Sequence, residues 1–342
     1  MREISIQKNE AGQRMDKFLA KYLNKAPKSF FYKMMRKKNI TLNGKKAVGN
    51  EQLKQGDVIK LFLAEETIEN FIDHSQFSKK KASSARKQTA GKKVQLDILY
   101  EDEAAVFINK PVGMLSQKAS PTDTSLVEYF IDYLLENGKI TEEELHTFHP
   151  SVCNRLDRNT SGIVAAGKTL QALQGLSEMF RDRTLKKYYL CLVKGQVKEN
   201  QRIHGYLVKN EKTNKVTVSQ KKPAEQTKDG KEASAIDTEY KVFARNRETT
   251  LLEVHLITGK THQIRAHLAS IGHPIAGDYK YGNRSFNDAL KKKYGLRSQL
   301  LHAYRLKFPE NCEGDIKQLS GKIIKAPVPA LFEQICKAQG VM

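Results

Sequence analysis

A chain of 342 residues has room for two or three domains and a sizeable core. Its 59 Lys and Arg against 38 Asp and Glu leave a formal charge of +21, which argues for a polyanionic partner. No apolar run approaches the roughly 20 residues that cross a bilayer, and Met1-Arg2-Glu3-Ile4-Ser5 carries charge where a signal peptide needs an apolar core. A membrane surface is disfavoured as the partner because the chain lacks a long basic amphipathic helix. Cys153, Cys191, Cys312 and Cys336 stand far apart without a Cys-x-x-Cys pair, so they read as reduced cytoplasmic thiols rather than disulfides or zinc ligands.

Residues 1–73 read as a small basic domain. Met15, Phe18, Leu19, Tyr22 and Leu23 recur at helical spacing, as do Phe30, Phe31, Met34 and Met35 in a second helix with Ser29 near its start. Lys33, Arg36, Lys37 and Lys38 lie on the other side of that helix. Ile40-Thr41-Leu42 is a short strand closed by the tight-turn pair Asn43-Gly44, and a further strand runs from Val58 to Leu63 after Gly56-Asp57. Gln13 to Lys17, Ile40 to Lys45 and Leu53 to Ile59 together resemble the small RNA-binding domain named after ribosomal protein S-four. That resemblance implies RNA contact by Lys33, Arg36, Lys37, Lys45 and Lys46. Residues 74–93 have almost no apolar side chains and read as a basic flexible linker. Charge is concentrated here, since residues 1–93 hold 22 Lys and Arg against 9 Asp and Glu.

Residues 94–342 form the remaining unit, β-rich with a few helices. Ile98–Tyr100 and Ala104–Ile108 are strands around an acidic turn, and Asn109-Lys110-Pro111-Val112-Gly113 is a rigid loop. Ser125 to Leu135 carries a helical apolar stripe; His146 and His149 read as loop histidines without metal. Asn154 to Gly162 is polar and sets one carboxylate, Asp157, between Arg155 and Arg158, just ahead of the apolar run Ile163–Ala166. Flanking guanidinium groups favour the charged carboxylate. Taken alone, the stretch fits either a reactive loop or a salt-bridged turn.

A helix capped by Thr169 follows, then a strand from Lys187 to Val193. Lys209 to Glu232 is lysine-rich and reads as a surface excursion. Thr238–Phe243 and Thr250–Leu256 are alternating strands, and a Gly loop leads into a helix that Thr261 can cap. On that helix Ile264, Leu268 and Ile271 face the core, while His262, Arg265 and Ala266 can face out. A structured loop from His273 to Asp278, a strand beginning at Leu300 and a helix from Val328 to Lys337 complete the chain.

Gly162-Ile163-Val164-Ala165-Ala166-Gly167-Lys168-Thr169 satisfies the phosphate-loop expression G-x-x-x-x-G-K-[ST]. A phosphate loop needs an apolar strand before its first Gly, but here the polar stretch precedes it and the β-branched and small apolar residues lie between the glycines. The segment therefore reads as a strand.

Three distant pieces point elsewhere: Asn154 to Gly162, Lys187-Tyr188-Tyr189 through Gly195, and Thr258 to Leu268. With Asn109–Gly113, Gly272–Asp278 and Leu301-His302-Ala303, they resemble the RluA-type family of pseudouridine synthases from about residue 94 onward. The resemblance implies an α+β protein, with a mixed, largely antiparallel catalytic sheet preceded by the small α+β RNA-binding domain. It implies isomerisation of uridine in RNA to its carbon-linked isomer, with no cofactor and no metal. Asp157 falls on the catalytic aspartate, which attacks the anomeric carbon or takes a ribose proton. Tyr189 falls on the active-site tyrosine that stacks on uracil. Arg265 falls on the arginine that pairs with Asp157 or holds the gap left by a flipped base. Arg155 joins the RNA-contacting cations. One departure is Asn154, where the family usually has His. The N-terminal domain favours ribosomal RNA of the large subunit, with transfer RNA the other candidate, and a cytoplasmic monomer is expected. The competing reading is a catalytically silent RNA-binding or ribosome-assembly factor; only the enzyme requires an ionisable side chain at position 157.

Overall fold

The computed structural model describes residues 1–73, 94–142, 144–210, 213–223 and 233–342; the linker expected over 74–93 lies outside them. The first segment contains β1 (Arg2–Ser5), α1 (Met15–Tyr22), α2 (Lys28–Arg36), β2 (Ile40–Leu42), β3 (Lys45–Lys46), β4 (Val58–Leu61) and α3 (Glu65–Asn70). Its strands form one antiparallel sheet in the order β1-β4-β2-β3. Asn43 and Gly44 both take positive φ, 50° and 73°, which a two-residue turn matched to the twist of the β2–β3 hairpin requires. The two helical stripes meet as anticipated: Met15, Phe18 and Leu19 pack with Phe31, Met34 and Met35 over Ile40, Ile59 and Leu61. Ser29 lies in the first turn of α2 as expected, and Pro27 precedes the helix without a side-chain cap. Thr147 Oγ1 donates to Glu10 Oε1 at 2.6 Å and Asn9 Nδ2 to Glu144 Oε1 at 3.0 Å, which ties this segment to the rest of the chain.

The second part begins with β5 (Ile98–Glu101), β6 (Ala105–Lys110), α4 (Leu126–Glu136), β7 (Ser151–Val152), β8 (Ser161–Gly167) and α5 (Leu170–Asp182). It continues with β9 (Lys186–Lys194), β10 (Gln201–Asn210), β11 (Lys215–Ser219), β12 (Ser234–Arg245), β13 (Thr249–Leu256) and α6 (Gln263–Ser270). Last come α7 (Arg284–Tyr294), β14 (Leu301–Lys307), β15 (Ile323–Lys325) and α8 (Ala330–Ala338). The strands make an eleven-stranded sheet ordered β11-β10-β12-β13-β9-β14-β8-β6-β5, with β7 on β8 and β15 on β14. β8 and β14 run parallel, and the other pairs are antiparallel. The fold is therefore α+β with a mixed, largely antiparallel sheet.

Local chemistry starts the helices where capping residues allow it. Ser125 and Glu128 form a capping box at the head of α4, and Thr169 Oγ1 accepts from the Ala172 N–H at the head of α5. The period of two along β9 then divides the core. Tyr189, Cys191 and Val193 join Phe130, Ile264 and Leu268 on one face, and Leu190 and Leu192 join Leu290, Phe332 and Ile335 on the other. A fully buried side chain such as Phe130 contributes about 1.5–3 kcal/mol.

Gly162 to Gly167 of the formal phosphate loop lie in β8, every residue of which is buried. Lys168 donates to Glu101 Oε1 at 2.9 Å and so serves an ion pair rather than a nucleotide. Gly162, the first glycine of that motif, has φ +114°, and a Cβ there would lie 2.2 Å from the Ala303 carbonyl oxygen. The close approach comes from the parallel register that sets Gly162 opposite Ala303. Gly162→Ala is expected to lower stability by about 3 kcal/mol or more, read as a shift in the urea midpoint.

Three expectations need correction. Thr261 does not cap α6: His262 precedes it in the left-handed region at φ 54°, without a side-chain cap, and the exposed Thr261 stands outside. Nor do Arg265 and Ala266 face out, because all residues from Gln263 to Leu268 are buried. Ile264 and Leu268 enter the main core, while Ala266 packs against Leu207, Val216 and Ile236 of β10, β11 and β12. A helix covered all round has no polar face for the sequence to display. The surface excursion expected from Lys209 to Glu232 is likewise partly structured, since β10 and β11 pair Lys209 with Val216, which is buried. Residues 211–212 and 224–232 of that stretch lie outside the described ones.

Candidate active site

Asp157 sits in the loop between β7 and β8, and neighbouring groups hold that loop from several directions. Ser116 Oγ donates to the Leu156 carbonyl and accepts from the Leu156 N–H, both at 3.0 Å. The fully buried Lys110 donates to the carbonyls of Pro111, Met114 and Arg158 at 2.9, 2.9 and 3.2 Å. Burial pushes its ammonium down to about 8, with the Asp157 charge opposing the shift. The Arg158 carbonyl also accepts from Gly113 N–H at 2.8 Å, and Arg158 Nε donates back to the Gly113 carbonyl at 3.1 Å. Asn154 acts as a backbone mimic: its Nδ2 donates to Ile163 O at 3.2 Å and its Oδ1 accepts from Ala165 N at 2.8 Å. An amide can serve both roles at once without any change of protonation.

Arg265 reaches this loop from α6. Its Nη1 donates to Asp157 Oδ2 at 2.8 Å, while Nε and Nη2 make a fork to Asp278 Oδ2 and Oδ1 at 2.7 and 3.0 Å. Asp278, 1% exposed, also accepts from the Lys280 and Tyr281 N–H groups through Oδ1. The fork fixes the guanidinium plane, and the remaining arm meets Asp157. Both carboxylates hold Arg265 firmly protonated against the opposing cost of burial.

His262 and Tyr281 close the other side. Tyr281 OH accepts from Val216 N–H at 2.9 Å and lies within hydrogen-bond distance of His262 Nδ1, 2.9 Å away. Burial pushes the His262 imidazole down, so it is neutral at pH 7, with Nε2 3.9 Å from Asp157 Oδ2. Tyr189 on β9 is buried beside the same space; burial, then the Asp157 charge, raise its phenol and keep it protonated. Its neighbour Tyr188 points to the opposite face of the strand, where it stacks on His255 and under Arg305.

Ser116, Asn154, Asp157, Tyr189, His262 and Arg265 line a cleft of about 880 Å³. Among the described residues lining it, Asp157 is the only carboxylate, against eight Lys and Arg side chains. Arg155 stands exposed among them. The structure therefore brings Asp157, Tyr189, Arg265 and Arg155 together. It does not bring Lys33, Arg36, Lys37, Lys45 and Lys46 to that cleft; they are exposed on α2, its C-terminal end and β3. Arg36 and Lys46 instead flank a shallow hollow beside Tyr32 and Val48. Asp278, Lys110 and Ser116 were not marked as site residues by the sequence patterns. Asp278 left a trace, a carboxylate directly after a Gly turn inside a recognised motif, but its burial is invisible until α6 packs on it.

The sequence profile of the RNA pseudouridylate synthase family matches residues 104–270, which include Asp157, Tyr189 and Arg265. Ribosomal large subunit pseudouridine synthase C of Vibrio parahaemolyticus is 34% identical over 336 residues, covering 97% of this chain and 94% of that protein. The chain belongs to the RluA-type family of RNA pseudouridine synthases. The synthase of the same name from Escherichia coli is 32% identical over 321 residues, covering 92% of this chain and 91% of its own length. Among solved structures, human RNA pseudouridylate synthase domain containing 4 superimposes with a TM-score of 0.56 at 24% identity, over 71% of this chain and 93% of that one, a likeness of fold. As a member of this family the protein is an isomerase acting on RNA.

Proposed function

We propose that this pseudouridine synthase modifies uridines in large-subunit ribosomal RNA, with Asp157 as the reacting carboxylate. The observation that carries the reading is a carboxylate held at 2.8 Å by an arginine that is itself locked, in a cleft whose other charged side chains among the described residues are eight Lys and Arg. Such a cleft attracts a phosphodiester chain and leaves one anion to meet the sugar. A base inside a helix cannot reach a recessed carboxylate, so the uridine must turn out of its stack.

In the cleft the bond from N1 to the anomeric carbon breaks, with Asp157 attacking that carbon or removing a ribose proton. The uracil turns and C5 bonds to the anomeric carbon while the Asp157–carbon bond breaks or, on the other route, Asp157 returns the ribose proton; the C5 proton then leaves and N1 gains a proton. The sequence is redox-neutral and changes no atom count. In this reading Tyr189 supports the uracil face, with its phenol near the proton removed during re-attachment. Arg265 acts by holding the Asp157 charge; with both edges of its guanidinium bound, that role fits better than filling the gap left by the base. Arg155 and the exposed Lys33, Arg36, Lys37, Lys45 and Lys46 contact the RNA backbone, the latter five from an N-terminal domain of residues 1–73.

The named relatives are synthases of the ribosomal large subunit, which favours that RNA over transfer RNA. Free Cys153, Cys191, Cys312 and Cys336 and a ribosomal substrate fit a cytoplasmic protein, which we propose acts as a monomer. Mapping pseudouridine in RNA from a deletion strain tests the assignment. Loss of specific large-subunit sites, restored by the wild-type gene, is the expected result; loss confined to transfer RNA would overturn the choice of substrate.

A further inference from the structure

One buried cation in the cleft has no anion to meet among the described residues. Lys187 stands two residues before Tyr189 on β9, so the period of two turns both side chains toward the same cleft. The residue is 8% exposed, yet among the described residues its amine has no hydrogen-bond or ion-pair partner. The charge that acts on it is Arg183, of like sign; burial and this neighbour push the ammonium down to about 8. A recessed ammonium without a counter-charge is costly to keep.

Two neighbours suggest what offsets that cost. Arg183 ends α5 in the left-handed region, φ 63° and ψ 23°, a position that favours Gly. A backbone tolerated there at some strain brings a guanidinium to the cleft wall four residues before Lys187. Gly259 faces the amine, and a Cβ on it would lie 3.6 Å from Lys187 Nζ. Gly259 is not among the residues with positive φ, so its backbone does not demand glycine. The missing side chain leaves the space before the amine open.

We propose that Lys187 and Arg183 form a phosphodiester-binding site in the cleft wall, gripping a backbone phosphate next to the flipped uridine. The ammonium and guanidinium meet its non-bridging oxygens, and the phosphate supplies the counter-charge that the described residues omit. This rests on the function proposed above and specifies how that cleft holds its RNA.

The test is tritium release from a large-subunit ribosomal RNA transcript labelled at uridine C5, measured over roughly 50–200 mM KCl with wild type, Lys187→Gln, Lys187→Arg and Arg183→Gln. Lys187→Gln is expected to raise KM about tenfold with kcat within about threefold. It should also reduce the slope of log(kcat/KM) against log salt by about one. Lys187→Arg should regain most of that slope, and Arg183→Gln should lose part of it. Wild-type KM and slope in Lys187→Gln, or a kcat loss at wild-type slope, would overturn the site. If Lys187→Gln fails to fold by its urea midpoint, the decision passes to the exposed Arg183: a reduced slope supports the site and an unchanged one overturns it. Absence of product from wild type would count against the proposed function instead, so the two failures are separable.

Discussion

Asp157→Asn is expected to lower uridine isomerisation by at least about a thousandfold while RNA affinity stays within a few-fold of wild type. The substitution preserves shape and an oxygen that can accept from Arg265 Nη1, so the 2.8 Å contact can persist as a neutral hydrogen bond. Arg265 keeps its fork to Asp278, and Ser116 and Lys110 hold the loop through backbone atoms that the change does not touch. What disappears is the negative charge that either attacks the anomeric carbon or draws off a ribose proton. Tritium release reads the turnover, and filter retention of the same transcript reads the binding. Turnover within tenfold of wild type would end the assignment of Asp157 as the reacting group. It would revive the silent binding factor, which needs no charge at that position.

Arg265→Met should cost both stability and activity, because it strips the cation from a buried carboxylate. Asp278 keeps its two N–H donors but loses the guanidinium fork, and removing one partner of a buried ion pair typically costs about 3–5 kcal/mol. Asp157 loses its anchor in the same step, so turnover at a temperature where the variant is folded should fall by about a hundredfold or more. Adding Asp278→Asn removes the stranded charge; the double variant should recover part of the urea midpoint without recovering turnover. A single variant that unfolds at the wild-type midpoint would contradict the pairing. So would a double variant that regains activity along with stability.

Local signals explain why much of the fold could be read along the chain. Asn43-Gly44 forms the hairpin because both residues tolerate positive φ, and Ser125 and Thr169 start helices because their hydroxyl oxygens meet otherwise unpaired N–H groups. Neither effect reaches beyond four residues. The apolar run behind Asp157 was legible as a buried strand for the same reason, which disposed of the nucleotide motif. α6 defied that logic. Its outward face exists only for an isolated helix; in the protein the β10–β11 hairpin covers one side and Asp157 and Asp278 the other.

The chain by itself therefore determined the basic N-terminal segment, the order of strands and helices around the Asp157 loop, and the family through motifs kept in sequence. These are properties of neighbouring residues and of spacing. Only the tertiary structure decided that Arg265 stands between two carboxylates, 108 residues from one and 13 from the other, and that Lys187 faces the cleft with no anion beside it among the described residues. Charge pairing depends on distance in space, and here that distance is set when α6 packs beside the sheet and β14 enters between β9 and β8. The same step explains Gly162, whose missing side chain is required by a strand that arrives 141 residues later.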